Sequence, residues 1–349
     1  MKKVLLALSG GVDSSVAAEL LKRDGYYVEG VVMMMSPEHE KTVSAAKESA
    51  LKLDIKLHIL DLRDIFKETI IDYFAKEYLS GRTPNPCVRC NPSVKFRYLL
   101  KTADSLGFDC IATGHYAKIV FENGIYKLFR ADSDARDQSY MLAGLKQDVL
   151  SRLICPLCGM EKQAVRKIAE DMGLPCHNAP DSQENCFIPD NDYANYIEQN
   201  YQASKIGEFI SPDGERLCPH KGILHYTIGQ RKGLGVALGR PAYVSDIDAD
   251  SGEVRLSFEK ALVNEVWLSD FSEIYENALR DGDEYLCKLR STGKLMPCVA
   301  HKCGDGVLIR LKSPTPKVSS GQAGVIYSGD EVIGVGAIEN NRSAALGKI

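Results

Sequence analysis

Between Asn85 and Asn91 the chain reads NPCVRCN, which sets Cys87 and Cys90 in a C-x-x-C. Two thiols at this spacing suit a zinc clip, a redox pair, part of an iron–sulfur ligand set, or an enzyme's nucleophile with a helper. The pair alone does not choose among them. Reactive thiols need a positive, partly exposed setting, which Arg82, Arg89 and Lys95 could supply. The chain holds 11 cysteines, an odd number. Its start, MKKVLLALSGG, stops being apolar at Ser9, too early for a secretory signal. Free thiols in a reducing, cytoplasmic setting are therefore expected, most of them inert and buried.

A second chemical signal is the run Ser9-Gly10-Gly11-Val12-Asp13-Ser14, which follows the apolar stretch ending in Ala7-Leu8 and precedes a helical pattern. Adjacent glycines turn the backbone sharply and bring N–H groups close to a phosphate. The hydroxyls of Ser9 and Ser14 can donate to phosphate oxygens, and the following helix end favours negative charge. Asp13 can hold a Mg²⁺ that neutralises a pyrophosphate. No Gly-Lys-Ser/Thr is present, so this is not a Walker A loop. Helix capping alone would explain one glycine or one serine, but not the whole hexad at the end of the first strand. The hexad resembles the pyrophosphate loop of the ATP pyrophosphatases, which split ATP into AMP and pyrophosphate. That resemblance implies the half-reaction and leaves the substrate open.

The elements that must position these groups follow from the periodicity. Up to about residue 203, short apolar runs (KVLLALS, VEGVVMMM, KLHILDL, CIATGHYA) alternate with helical patterns. This order predicts an α/β domain with a doubly wound parallel sheet, whose ligands bind beyond the C-terminal strand ends. A central β-rich domain is expected over 204–259, rich in Gly and turn pairs. A β-barrel is expected over 260–349, where six strand-like runs recur. At 349 residues, two or three domains are the prior expectation. The net charge of −4 announces no nucleic-acid partner, so any basic surface must be local. No apolar stretch is long enough to span a bilayer.

Six motifs then occur in order: GRTPNPCVRCN, ATGHYA, RDQSY, DSQENCFIP, HYTIGQRKGLG and GQAGVIYSGDEVIGVGAIE. Together they resemble the bacterial tRNA-specific 2-thiouridylases, the MnmA family, over nearly the whole chain. The resemblance implies a cytoplasmic sulfurtransferase that adenylates the 2-oxygen of the anticodon wobble uridine with ATP and Mg²⁺ and then replaces that oxygen by sulfur. It implies tRNA partners of the glutamate, glutamine and lysine types, and a sulfur donor such as a cysteine desulfurase or a sulfur-relay protein. Carried over position by position, the ATP site falls on Ala7, Leu8, Ser9, Gly10, Gly11, Val12, Asp13, Ser14, Met33 and Gly114. The catalytic cysteine falls on Cys90 and the persulfide carrier on Cys186, with Asp13 assisting at the phosphates, and both cysteines are expected on loops over the ATP. The tRNA-facing positions fall on Asn85, Pro86, Cys87, His115, Arg136, Asp137, Gln138 and Gln322.

The chain departs from the family pattern at Cys87, where the common form has Asp. Cys87, Cys90 and Cys186 then form a three-thiol set. Sulfur can travel as a persulfide on Cys186, or such a set can hold a [4Fe–4S] cluster whose fourth iron binds sulfide. Both routes stay open at this stage. Two other readings compete: an ATP pyrophosphatase ligase acting on a small molecule, and a non-catalytic iron–sulfur or thiol sensor. Cys155 and Cys158, a second C-x-x-C, read as structural.

Overall fold

In the computed structural model, which describes residues 1–178 and 185–340, the alternating runs become a five-stranded parallel sheet. Its members are β1 (Lys3–Ala7), β2 (Tyr27–Met34), β3 (Leu57–Asp61) and β4 (Cys110–Ala112). A hairpin, β5 (Lys118–Glu122) and β6 (Ile125–Phe129), leaves the sheet, and β7 (Leu153–Ile154) returns to it. The order is β3-β2-β1-β4-β7 with every neighbour parallel. The winding direction reverses between β1 and β4, the crevice where such sheets bind phosphates.

Among the described residues the α-helices follow in chain order: α1 (Val12–Arg23), α2 (Glu40–Leu53), α3 (Arg63–Phe66), α4 (Asp72–Leu79), α5 (Pro86–Cys90), α6 (Phe96–Leu106), α7 (Ser139–Leu142), α8 (Gln147–Leu150), α9 (Lys162–Asp171) and α10 (Tyr193–Asn200). After the exposed Lys3, β1 is apolar because both faces are covered. Val4 and Leu6 pack with α1 and α9, whereas Leu5 faces the opposite core with Phe66 and Phe96. Burying each of these leucines contributes about 2 kcal/mol.

The segment from Pro86 to Leu106 is one helical run rather than a loop followed by a helix. Asn85 caps it, its Oδ1 accepting from Val88 N–H at 3.3 Å, and Pro86 fits the first helical position. Pro92 cannot donate a backbone hydrogen bond, and Asn91–Lys95 widens into a π-turn before α6. The expectation that Cys87 and Cys90 ride a loop is thereby corrected. They stand one turn apart on the first turn of a helix, where residues three apart share a face.

The middle region forms a four-stranded sheet from β8 (Glu208–Ile210), β9 (Arg216–Pro219), β10 (Tyr243–Ile247) and β11 (Val254–Ser257). The last region holds β12 (Leu262–Glu273), β13 (Glu284–Lys288), β14 (Met296–Cys303), β15 (Gly306–Pro316), β16 (Ala323–Ser328) and β17 (Glu331–Glu339). They run in the order β12-β15-β14-β13-β16-β17, and pairing of β12 with β17 closes the barrel.

Several contacts tie the barrel to the first domain. The β5–β6 hairpin adds to the barrel edge through Phe129 and Glu331. The chain just before Asn85 is gripped by Arg82, which reaches both oxygens of Glu339 at 2.6 Å and Glu77 at 2.7 Å. Thr83 N–H donates to Ser320 O at 2.8 Å. Among the described residues no helix is long and apolar enough to cross a membrane.

Candidate active site

The phosphate loop closes on itself at the switch point. Ser14 Oγ receives Ser9 N–H at 3.2 Å, lies 3.1 Å from Ser9 Oγ, and donates to Gly11 O at 3.1 Å. Two glycines here are steric necessities. A Cβ on Gly10, at φ +75°, would lie 2.3 Å from the Ala45 carbonyl carbon, and one on Gly114 would lie 2.8 Å from the backbone of Asp13 and Ser14. Gly114 thus lets the end of β4 sit directly against the loop. Met33 is buried in the half of β2 nearer its C-terminal end.

Asp13 is gripped rather than free. Lys162 Nζ lies 2.7 Å from both of its oxygens, and Tyr116 OH donates to it at 2.7 Å. Lys162 stands 149 positions away at the start of α9, and no local pattern in the sequence singled it out. It brings a cation to the loop. Asp13 remains about one-third exposed, so it is the carboxylate in this loop that a Mg²⁺ entering on nucleotide phosphates would meet.

The thiols converge on Lys95. Cys90 is 4% exposed, Cys87 half-buried and Cys186 exposed. The loop carrying Cys186 is seated by Phe187, whose ring meets Phe66 at 5.7 Å and Phe74 at 5.2 Å in the core that also contains Cys90. Lys95 interacts electrostatically with all three sulfurs. Burial pulls its pKa down, the thiols outweigh that, and the net shift is upward. Among the described residues no carboxylate pairs with it. Of the three cations named from sequence, only Lys95 serves the thiols. Arg82 is bound to Glu77 and Glu339, and Arg89 lies over the Tyr73 ring at 4.2 Å.

Burial pushes the Cys90 thiol up to about 12, against the opposing pull of Lys95. Cys186 shifts the same way from crowding by surrounding protein, although its surface touches solvent and a reagent can reach it. Burial, then Lys95, drops His115 to about 3, so its ring is neutral, with Nδ1 3.0 Å from Thr113 Oγ1. His39 is lowered by the same two causes, with Nδ1 2.8 Å from Ser36 Oγ. Asn91, beside Cys90, donates to Met141 O at 2.7 Å, while its buried Oδ1 finds no partner among the described residues. The cluster expected as one alternative at Cys87, Cys90 and Cys186 gains no support from this arrangement. Among the described residues no three His, Cys, Asp or Glu side chains are grouped as a metal site, and the three thiols share an ammonium ion instead.

Several positions expected to face tRNA also make contacts within the protein. Asp137, with its side chain 1% exposed, accepts from Ala131 N–H at 3.2 Å and from Ser139 N–H at 3.0 Å. Gln138 brackets Tyr116, accepting from its N–H at 3.0 Å and donating to its carbonyl at 2.9 Å. Gln322 Nε2 donates to Thr83 O at 3.0 Å, on the approach to Cys87. Asn85 and Pro86 build the helix start, and Arg136 is half-buried beside Ser133. Cys155 is buried, its thiol pushed up to about 12 by that burial, with Sγ 4.0 Å from Thr113 Oγ1. The segment DSQE, part of one sequence motif, lies outside the described residues.

A nucleotide-type parallel sheet with a Ser-Gly-Gly-Val-Asp-Ser loop at its switch point, followed by two β-domains, defines an enzyme of the ATP-pyrophosphatase fold. Residues 2–190 match the family described as tRNA methyl transferase HUP domain, residues 194–257 its PRC-barrel domain, and residues 262–338 an aminomethyltransferase beta-barrel domain. The chain is 40% identical to the tRNA-specific 2-thiouridylase MnmA of Clostridium acetobutylicum, over 97% of this chain and 99% of that protein. It is 41% identical to the MnmA of Clostridioides difficile, over 97% and 99%, and 42% identical to that of Lachnoclostridium phytofermentans, also over 97% and 99%. The chain belongs to the tRNA-specific 2-thiouridylase family.

Proposed function

We propose that this tRNA 2-thiouridylase works by a persulfide route, in which Cys186 carries the sulfur and Cys90 releases it. The observation that carries this reading is the meeting of Cys90 and Cys186 at Lys95, beside His115, whose neighbour Gly114 packs on the phosphate loop. ATP would lie at Ser9–Ser14, with Lys162 and the loop N–H groups drawing charge from its phosphates and Asp13 available to Mg²⁺. The uracil 2-oxygen attacks the α-phosphorus, the bond to the β-phosphate oxygen breaks, and pyrophosphate leaves. The outer sulfur of a Cys186 persulfide then attacks uracil C2, and AMP departs with the former 2-oxygen. Finally Cys90, as thiolate, attacks Cys186 Sγ. The sulfur–sulfur bond breaks, its electron pair stays on the sulfur now bound to C2, and a Cys90–Cys186 disulfide remains. An external dithiol must reduce that disulfide before the next turnover.

Neutral His115 can accept or donate a hydrogen bond at the base without adding charge. The wobble uridine must leave its stack to reach the site, and most tRNA affinity would come from phosphates and shape. The tRNAs are those of glutamate, glutamine and lysine type, and the sulfur comes from a cysteine desulfurase or a relay protein. The test supplies ATP, Mg²⁺, a wobble-uridine tRNA and a protein persulfide donor. One AMP, one pyrophosphate and one 2-thiouridine per turnover are expected. AMP formation that ignores tRNA but responds to a small amine or carboxylate would favour a small-molecule ligase.

A further inference from the structure

We propose that the crevice between the middle domain and the barrel is a phosphate site, and that a backbone phosphodiester of the substrate tRNA fills it and pins the two domains together. The inference rests on tRNA as the substrate and is independent of how the sulfur travels. The crevice has a volume of about 150 Å³, enough for a phosphate group with some of its water. Tyr243 and Val244 of β10 line it from the middle domain, and Arg290, Pro316 and Lys317 from the barrel. Lys260 joins them from residues 258–261, which connect β11 to β12. Three cations therefore meet at one joint, in a chain whose net charge is −4. A single carboxylate offsets them in part: Asp246 Oδ1 lies 3.5 Å from Lys317 Nζ. Lys260 Nζ stands 5.4 Å from the centre of the Tyr243 ring, a cation–π contact that spends none of its charge on an acid. Arg290 is exposed just past β13. Among the described residues neither Lys260 nor Arg290 pairs with a carboxylate.

The walls are set by backbone bonds and leave the cations free for a ligand. Gly229 N–H donates to Val244 O at 2.8 Å, Val244 N–H to Gln230 O at 2.9 Å, and Lys317 N–H to Ala261 O at 2.8 Å. Like charges held around one crevice repel, and an anion between them relieves that. The planar fork of Arg290 matches the two free oxygens of a phosphodiester, while the lysines add point charges. Apolar walls such as Val244 and Pro316 lower the local dielectric and strengthen the attraction. The surroundings favour a polyanion over a single ion. Arg231 and Lys232, both exposed, follow Gly229 of the crevice wall. Lys288, two residues before Arg290, holds its Nζ 5.9 Å from the ring centre of Tyr140 in α7. Tyr140 packs in the core that also contains Cys90. Cations thus continue from the crevice toward the catalytic domain, as an extended phosphate backbone requires.

The test measures binding of a wobble-uridine tRNA to the full-length protein, without ATP, at KCl between about 50 and 200 mM. Arg290→Gln and Lys260→Gln should each weaken binding roughly three- to tenfold. Each should also make the fall of log affinity with log salt shallower by about 0.7–0.9. Arg290→Lys should keep the wild-type slope and recover only part of the affinity, because a point charge replaces a fork. Lys312→Gln removes an exposed barrel cation bound to Glu284 at 2.6 Å and should change neither quantity. Phosphate-ethylation interference then locates the contact. At least one tRNA phosphate whose ethylation blocks wild-type binding should lose that effect in Arg290→Gln. Wild-type slopes and interference patterns in both crevice variants would overturn the inference, and so would an equal loss in Lys312→Gln, the mark of bulk charge alone. Calorimetry with inorganic phosphate and with ATP separates the sources of phosphate. Free-ion binding abolished by Arg290→Gln, with tRNA binding untouched, would overturn the tRNA assignment. Matching melting transitions certify folding, and Lys260→Gln carries the test if Arg290→Gln does not fold. A folded wild type that binds no tRNA at all would overturn the substrate reading itself.

Discussion

Two groups of cysteines in this molecule differ in almost every respect that governs reactivity. At the α5 end, Cys87, Cys90 and Cys186 all interact electrostatically with Lys95, and Cys87 and Cys186 reach solvent. In the barrel, Cys287 and Cys298 lie diagonally across β13 and β14, opposite Met296 and Tyr285 respectively, both fully buried and hydrogen-bonded to each other. Their mutual hydrogen bond, then burial, drives Cys287 far upward in pKa, and no cation opposes it. Closeness of two thiols therefore says little by itself. A nearby cation and a path for the reactant distinguish a site from a core.

The largest effects should fall on the α5 side of this contrast. Cys90→Ser and Cys186→Ser should each lower tRNA thiolation on the order of a thousandfold or more. Cys287→Ser should leave turnover per folded molecule unchanged. Native-state alkylation followed by peptide mapping should likewise find Cys186 first and leave Cys287 and Cys298 untouched until unfolding. An equal loss of turnover from the barrel variant would erase the distinction. Next in size, Lys162→Ala should slow tRNA-dependent AMP formation by about a hundredfold, because the phosphate loop loses its cation. Pulse alkylation of the Cys186 persulfide should be unaffected by it, since the two halves of the site are chemically separate.

The sequence made one half of the site far more legible than the other. The phosphate loop is local, six residues between a strand and a helix, and its glycines and hydroxyls declare themselves. Cys90 and Cys186 were legible only through motifs in order, for nothing within either segment says that they meet. Lys162 was invisible, because its role depends on α9 packing beside α1, which spacing does not encode. Lys95 stood among three candidate cations, and only the fold shows Arg82 spent on Glu339 and Arg89 stacked on Tyr73. The helix at Pro86 is not legible as one, because the π-turn that carries the run past Pro92 cannot be read from composition. The barrel's alternating runs gave its six strands, but the grip of Gln322 on Thr83 needed the tertiary structure.

Smaller effects sharpen the contrast further. Arg82→Ala cuts the link between the barrel and the approach to Cys87. It should cost about 1–3 kcal/mol in urea unfolding, the range for a partly buried pair losing one member. Glu339→Gln should cost less, since Arg82 keeps Glu77. His115 should leave a mark on acid stability. Its folded pKa lies near 3 against an ordinary 6.5, so between those values the unfolded chain binds a proton that the folded one refuses. Stability is then lost as pH falls from about 6.5 toward 3. In His115→Gln this part of the decline should vanish, visible as a shallower drop in melting temperature across that range.

The central claim is that Cys186 delivers sulfur to the adenylated base and Cys90 cuts it loose. A single turnover with Cys90→Ser, loaded with persulfide and given ATP, Mg²⁺ and a wobble-uridine tRNA, tests it most directly. Stoichiometric AMP is expected, with a tRNA–protein conjugate held through Cys186 that a dithiol releases as 2-thiouridine tRNA. Free 2-thiouridine forming at the wild-type rate, with no conjugate, would contradict the account.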